Sequence, residues 1–252
     1  MADSLAPDSV EPLLTGGFGR PYLYRERCDS TQELLAPDWP EGAVAVCDEQ
    51  TAGRGRRGRT WAAPPGTSVL ASFLLRPRAE SRLPELSLVG GVAAALTVER
   101  ATGLSTQIKW PNDVMLNRHK VAGILADADA GAGAGAVVLG IGLNVNQTRE
   151  ELPAAPTVPA ASLRTIDAVV RDRAPVLADL VLEIERTYKL WSAGGLEAIY
   201  EELGSRDFLR GRRVSVDGAD GTAIGIARDG ALEVAVDGET RRVESGEVAY
   251  VR

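Results

Sequence analysis

The spacing of apolar positions changes character several times along the chain. Residues 21–27, 43–47 and 68–75 each predict a short strand, the second as a compact apolar run. Between the first two, Asp29-Ser30-Thr31 caps a short helix with Glu33 in its first turn. From Pro84 the period becomes helical: Leu86, Val89, Ala93 and Leu96 share a face, and Gly103 is the C-cap. Gly90-Gly91 interrupts that helix at about 1 kcal/mol per glycine relative to alanine, which points to a close neighbour. Residues 108–110 form a strand that stops at Pro111. Residues 121–128 and 136–141 are strands joined through an Ala/Gly tract, 130–135, read as a flexible hairpin loop. Leu177, Leu180, Ile184, Tyr188 and Trp191 define an amphipathic helix. Leu196, Ile199, Tyr200 and Leu203 define a second, ended by Gly204.

Beyond Phe208 the texture is different. Runs at 213–216, 222–227, 232–236, 240–243 and 248–251 are separated by the pairs Asp217-Gly218, Asp220-Gly221, Asp229-Gly230 and Asp237-Gly238. Asp-Gly between alternating strands signals tight hairpins. Five such strands predict a small barrel of the SH3-like kind. The expected organisation is therefore a loose arm over 1–20, an α/β domain over 21–204 and a small β domain over 205–252.

Composition narrows the function classes. The 252 residues suffice for a substantial core, and 44 % apolar with 25 % charged residues is ordinary for a globular protein. A net charge of −7 opposes a nucleic-acid-coating role. The two cysteines, Cys28 and Cys47, read as packing thiols of a reducing compartment. The single histidine, His119, excludes a histidine-rich zinc site. The start of the chain has no cationic and apolar leader, and no run reaches the roughly 20 apolar residues of a membrane span. A cytoplasmic location is expected.

Three segments carry candidate chemistry. The first, Gly53-Arg54-Gly55-Arg56-Arg57-Gly58-Arg59, matches a dinucleotide-binding pattern literally. The residues that follow cannot make the helix such a site needs. Four guanidinium groups among glycines nevertheless suit a phosphate or carboxylate; the alternative is a solvated charged loop or a nucleic-acid patch. Mutual repulsion should keep the loop mobile until an anion neutralises it. The second segment is Lys109-Trp110-Pro111-Asn112-Asp113, followed by Lys120-Val121-Ala122-Gly123-Ile124-Leu125. A hairpin would bring Asp113 and Lys120 together at one sheet edge, as a structural ion pair or as part of an anion site. The third, Gly140-Ile141-Gly142-Leu143-Asn144-Val145-Asn146, is a strand end where ligand could approach backbone, or a glycine-rich bend.

Taken in order, these segments, with Asp29-Ser30-Thr31-Gln32 and Gln50-Thr51-Ala52-Gly53, resemble the biotin protein ligases over roughly residues 25–252. The resemblance implies a class II aminoacyl-tRNA-synthetase-like α/β catalytic domain with a mixed sheet, plus the SH3-like C-terminal domain. It implies a ligase that forms biotinyl-5′-adenylate from biotin and MgATP. The biotin then passes to a lysine of a biotin carboxyl carrier domain of a carboxylase. Lys120, Arg56 and Asp113 become the expected catalytic residues. Ser30, Thr31 and Gln50 are expected at the ureido ring. Gly53, Gly123 and Gly140 line the biotin pocket, with Arg54, Arg56 and Lys120 near the carboxylate. Arg54, Arg56, Arg59, Trp61, Asn112, Lys120 and Asn144 are expected around ATP, with Asn144 reading adenine. Asn112 and Asp113 place either Mg2+ or the incoming lysine; the residues leave both open. The span before Tyr22 leaves no room for a helix-turn-helix, so the expectation is a ligase without specific DNA binding, without membrane association, and monomeric or weakly dimeric. The rival readings are a lipoate or octanoate transfer enzyme, and a binding module without chemistry.

Overall fold

The computed structural model describes residues 3–78, 84–128, 130–131, 135–154, 158–216, 219–246 and 248–250. Its centre is a seven-stranded mixed sheet. Strand β1 (Tyr22–Cys28) runs parallel to β2 (Val44–Gln50). The remaining strands join antiparallel in the spatial order β3 (Ser68–Leu75), β7 (Val137–Asn144), β6 (His119–Asp127), β5 (Asp113–Leu116) and β4 (Gln107–Lys109). Strand β3 is buried along its whole length, its apolar run interrupted only by the small Ser68 and Ser72.

Two long helices, α2 (Glu85–Thr102) and α4 (Arg173–Gly194), pack together and cover one face of this sheet. The glycine pair in α2 has the close neighbour its cost implied. A Cβ on Gly90 would lie 2.9 Å from Ile124 Cγ2 of β6. Helix α2 ends at Gly103, which is left-handed at φ 71°. The opposite face is left largely without helices, and the candidate site occupies it.

The first residues do not form a loose arm. Short helix α1 (Pro7–Val10) starts with Pro7 in its first turn, where a missing N–H costs nothing. Leu5, Val10, Leu14 and Phe18 are buried in the main core. Asp3 also ion-pairs with Arg173, which is 1 % exposed and bonds Asp48 of β2 as well. The composition looked loose because its few apolar residues are widely spaced, yet four of them meet the body of the protein. Cys28 and Cys47 are free thiols lying side by side, with sulfurs 3.0 Å apart.

After α3 (Leu163–Asp167), α4 and α5 (Tyr200–Ser205), the chain enters a five-stranded antiparallel sheet. Its order is β11 (Glu239–Val243), β10 (Leu232–Val236), β9 (Ala219–Ile226), β8 (Arg213–Val216), β12 (Val248–Tyr250). The expected barrel does not close among the described residues: β11 pairs only with β10, and β12 only with β8. Three-residue β12 turns toward the central sheet instead. The Asp237-Gly238 pair makes the expected hairpin turn, with both residues at positive φ. Asp229-Gly230 likewise links β9 to β10. Asp220-Gly221 lies within β9 rather than at a turn. A Cβ on Gly221 would fall 2.5 Å from the Ala235 carbonyl oxygen, so glycine serves close strand approach there. Asp217-Gly218, and the centre of the Ala/Gly tract, lie outside the described residues. No helix among the described residues is long and apolar enough to cross a membrane.

Candidate active site

The open face of the central sheet carries a cleft of about 790 Å3. Its floor comes from the β6–β7 pairing, where Gly123 stands opposite Gly142 and Gly140 opposite Leu125. Glycine here lets a flat ring approach the backbone closely.

One end of the cleft is polar and fixed. Ser30 caps a single helical turn, Thr31–Glu33, so that Ser30, Thr31 and Gln32 face the cleft. The Gln50 side-chain oxygen accepts from the Thr31 backbone N–H at 2.8 Å and from its hydroxyl at 3.1 Å. Thr31 also shares a 2.8 Å hydrogen bond with Ser72 of β3. Gln32 donates to the Leu125 carbonyl at 3.2 Å, and its amide oxygen is buried with no partner among the described residues. A buried unpaired acceptor is costly, so this end is prepared for a donor from outside the protein.

The other end is cationic. The arginine loop folds back on itself: Arg54 bridges to Thr60, the Gly55 N–H donates to the Arg59 carbonyl, and the Trp61 N–H donates to the Gly53 carbonyl. At the tip Arg57 adopts φ 56° and Gly58 φ 70°. Arg54 ion-pairs with Glu33 and lies 4.0 Å from Asp127. Arg56 donates to the Asn112 side-chain oxygen at 3.5 Å, tying the loop to the turn after β4. Asn112 in turn donates to the Ile124 carbonyl at 2.8 Å. The β5–β6 hairpin places the Lys120 ammonium 2.6 Å from the Asp113 carboxylate, as its spacing predicted. The pair lies inside the sheet rather than at its edge, since β4 is the outer strand. Lys120 also sits 5.5 Å from the centroid of the Trp61 ring.

Of the residues expected from sequence, Ser30, Thr31, Gln50, Arg54, Arg56, Arg59, Trp61, Asn112, Asp113, Lys120, Gly123 and Gly140 all line this one cleft. Gly53 and Asn144 are not in the lining. Gly53 underlies the loop base, where a Cβ would lie 2.3 Å from the Trp61 carbonyl oxygen. Asn144 is buried, donating to the Ala161 carbonyl and accepting from Gln147, so its amide is engaged away from the cleft. The lining also includes residues that the sequence did not single out. Gln32, Arg57 and Lys109 lie within quoted motifs and could have been found there. Ser215, Val248, Ala249 and Tyr250 come from the C-terminal sheet, which no local signal connects to the site.

Both ends thus sit in one groove: amide and hydroxyl groups at one, cationic side chains at the other. Residues 24–144, which hold most of it, match the model of the biotin/lipoate A/B protein ligase family. The bifunctional ligase/repressor BirA of Bacillus subtilis is 34 % identical over 248 residues, covering 94 % of this chain and 76 % of that protein. The biotin–[acetyl-CoA-carboxylase] ligase of Mycobacterium tuberculosis is 34 % identical over 84 % of this chain and 80 % of its own length. Among solved structures, the biotin protein ligase of Aquifex aeolicus in complex with biotin and ATP superposes with a TM-score of 0.80 at 30 % identity, covering 91 % of this chain and 98 % of that one. Fold, cleft and sequence therefore agree, and this chain belongs to the biotin protein ligase family.

Proposed function

We propose that the protein joins biotin to AMP at the expense of ATP, and then passes the biotinyl group to a lysine of a carboxylase carrier domain. The observation that carries this reading is the gathering of Arg56 and the Lys120–Asp113 pair in one glycine-floored cleft. The similarity to a ligase solved with biotin and ATP supports it.

In the first step a carboxylate oxygen attacks the α-phosphorus and the bond to pyrophosphate breaks. Both reactants are anionic. Two unit charges at 4 Å repel by about 4 kcal/mol at an effective dielectric of 20. Lys120 and Arg56 offset this repulsion at the carboxylate and α-phosphate, while Arg54 and Arg59 serve the departing phosphates. Fixed donors of this kind lower the barrier without reorganising during reaction. Ser30, Thr31 and Gln50 hold the cyclic urea through their hydrogen-bonding groups. Gly140 allows the bicyclic ring to lie against backbone, and Gly123 keeps the adjoining floor bare beneath the Trp61 indole. Trp61 covers the ligand and, with the closed loop, keeps water from the anhydride.

In the second step the lysine amine attacks the acyl carbon, the bond to AMP breaks, and the amine loses a proton. Asn112 and Asp113 stand where that amine would enter. Among the described residues no three acidic, histidine or cysteine side chains form a metal cluster. One carboxylate and one amide oxygen nevertheless fit Mg2+, which is commonly held by one or two carboxylates together with substrate phosphates. Bound there, Mg2+ would neutralise phosphate charge.

The test is biotin- and ATP-dependent pyrophosphate release, followed by the mass of a purified carrier domain. Gain of one biotinyl group is expected. Release with lipoate but not with biotin would assign the chain to a lipoate-activating branch of the family instead.

A further inference from the structure

We propose that Gly142 and Gly123 form a seat for the Trp61 indole, and that this seating holds the arginine loop over the cleft, making Gly142 a positioning residue. The two glycines are register partners on β7 and β6, so their bare backbones lie side by side. A Cβ on Gly142 would fall 2.4 Å from Trp61 Cε2, 2.6 Å from Cζ2 and 2.7 Å from Nε1. A Cβ on Gly123 would fall 2.7 Å from Cζ3, at the far side of the same ring. The indole therefore spans both strands in direct contact with backbone, at separations no side chain could share.

Shape rather than hydrogen bonding selects this position. The indole N–H is buried and has no acceptor among the described residues. A ring placed for its donor would have satisfied it. What holds the ring is flat contact with the glycine floor and the Lys120 ammonium 5.5 Å from its centroid.

The seat also governs the loop. Trp61 is the second residue beyond the arginine cluster, and its backbone N–H closes the loop base on the Gly53 carbonyl at 2.9 Å. Fixing the indole on the sheet fixes one end of the Arg54–Arg59 segment. Lifting it would release that segment and withdraw a neighbour from Lys120. Gly140, two residues earlier on β7, has a different role, because a Cβ there would meet Gln32 rather than Trp61.

Trypsin reads the seat directly, since the loop is rich in cleavable arginine bonds. Without ligand, cleavage within residues 54–60 should be about tenfold faster in Gly142→Ala than in the unmodified protein, because proteolysis follows the population of the opened loop. Trp61→Ala should show the same acceleration. The double variant should exceed neither single, since both changes abolish one interaction. Wild-type cleavage in folded Gly142→Ala would overturn the proposal. So would additive acceleration in the double variant, which would mark Gly142 as needed only for the strand. If Gly142→Ala fails to fold, Trp61→Ala decides alone, and an unchanged cleavage rate there overturns the proposal. The activity arm rests on the biotin ligation reading: kcat/KM for biotin-dependent pyrophosphate release should fall in both single variants. Absence of that activity in the unmodified protein would sink the ligation reading while leaving the trypsin result to judge the seat.

Discussion

Lys120 owes its place to a hairpin only seven residues long, whose turn uses Asn117 and Arg118 at positive φ. Its side chain is 27 % exposed, and its ammonium is already neutralised by Asp113. It is thus held in the cleft before any anion arrives. Lys120→Ala should reduce adenylate formation by about 10²–10³, the usual loss for one preorganised donor. Biotin affinity, measured calorimetrically, should fall far less, because the ureido end is held elsewhere. Near-normal pyrophosphate release would remove Lys120 from the chemistry. A second residue-level contrast lies in α2. Gly90→Ala and Gly91→Ala each gain about 1 kcal/mol of helix propensity. At Gly91 the added methyl meets Ile108 at an ordinary 3.5 Å, so the gain should survive. At Gly90 it meets the branched Ile124 side chain at 2.9 Å, and overpacking typically costs about 1–3 kcal/mol. Thermal unfolding should show Gly91→Ala raised in Tm and Gly90→Ala lowered; equal shifts would refute the packing argument.

Among the elements, α4 does more than cover the sheet. Its Glu185 carboxylate accepts from the backbone N–H groups of Gly17 and Phe18, pinning the N-terminal segment. Burial pushes the Glu185 carboxyl up, but Lys189 and those two N–H groups outweigh it and hold it below the usual carboxylate range. A carboxyl depressed in the folded state stabilises fully above its unfolded value, near 4.3. That contribution is lost as pH falls through the lower folded value. Tm should therefore be insensitive to this group near neutrality and drop in acid. Glu185→Gln should flatten the acid limb while lowering Tm at neutral pH; an unchanged pH profile would show that the cap contributes nothing. The arginine loop is the opposite kind of element. It is short, polar and closed by few backbone bonds, so its order depends on what Trp61 and any bound anion add.

For the whole molecule, the C-terminal sheet is not an appendage. Val214, Ala223, Ile226, Leu232 and Val234 belong to the same apolar cluster as α2 and the central sheet. The Trp110 indole donates to the Gly230 carbonyl at 2.9 Å, and the Tyr200 hydroxyl to the Ile226 carbonyl at 2.7 Å. Strand β12 and Ser215 complete the wall of the cleft. Shared core implies shared unfolding. Scanning calorimetry should show one transition whose calorimetric and van't Hoff enthalpies agree; two resolved transitions would contradict a common core.

The sequence by itself determined the strands, the two long helices and the ligand types, because period, caps and glycine placement are local signals. It also brought Asp113 to Lys120, since one tight hairpin separates them. The tertiary structure alone decided that Leu5, Val10, Leu14 and Phe18 are buried, that the last sheet stays open, and that Tyr250 reaches a site built a hundred residues earlier. It also turned Asn144 inward and set Trp61 on Gly142. Those outcomes depend on which surfaces meet when distant segments pack, and spacing along a chain carries no record of contacts made across it.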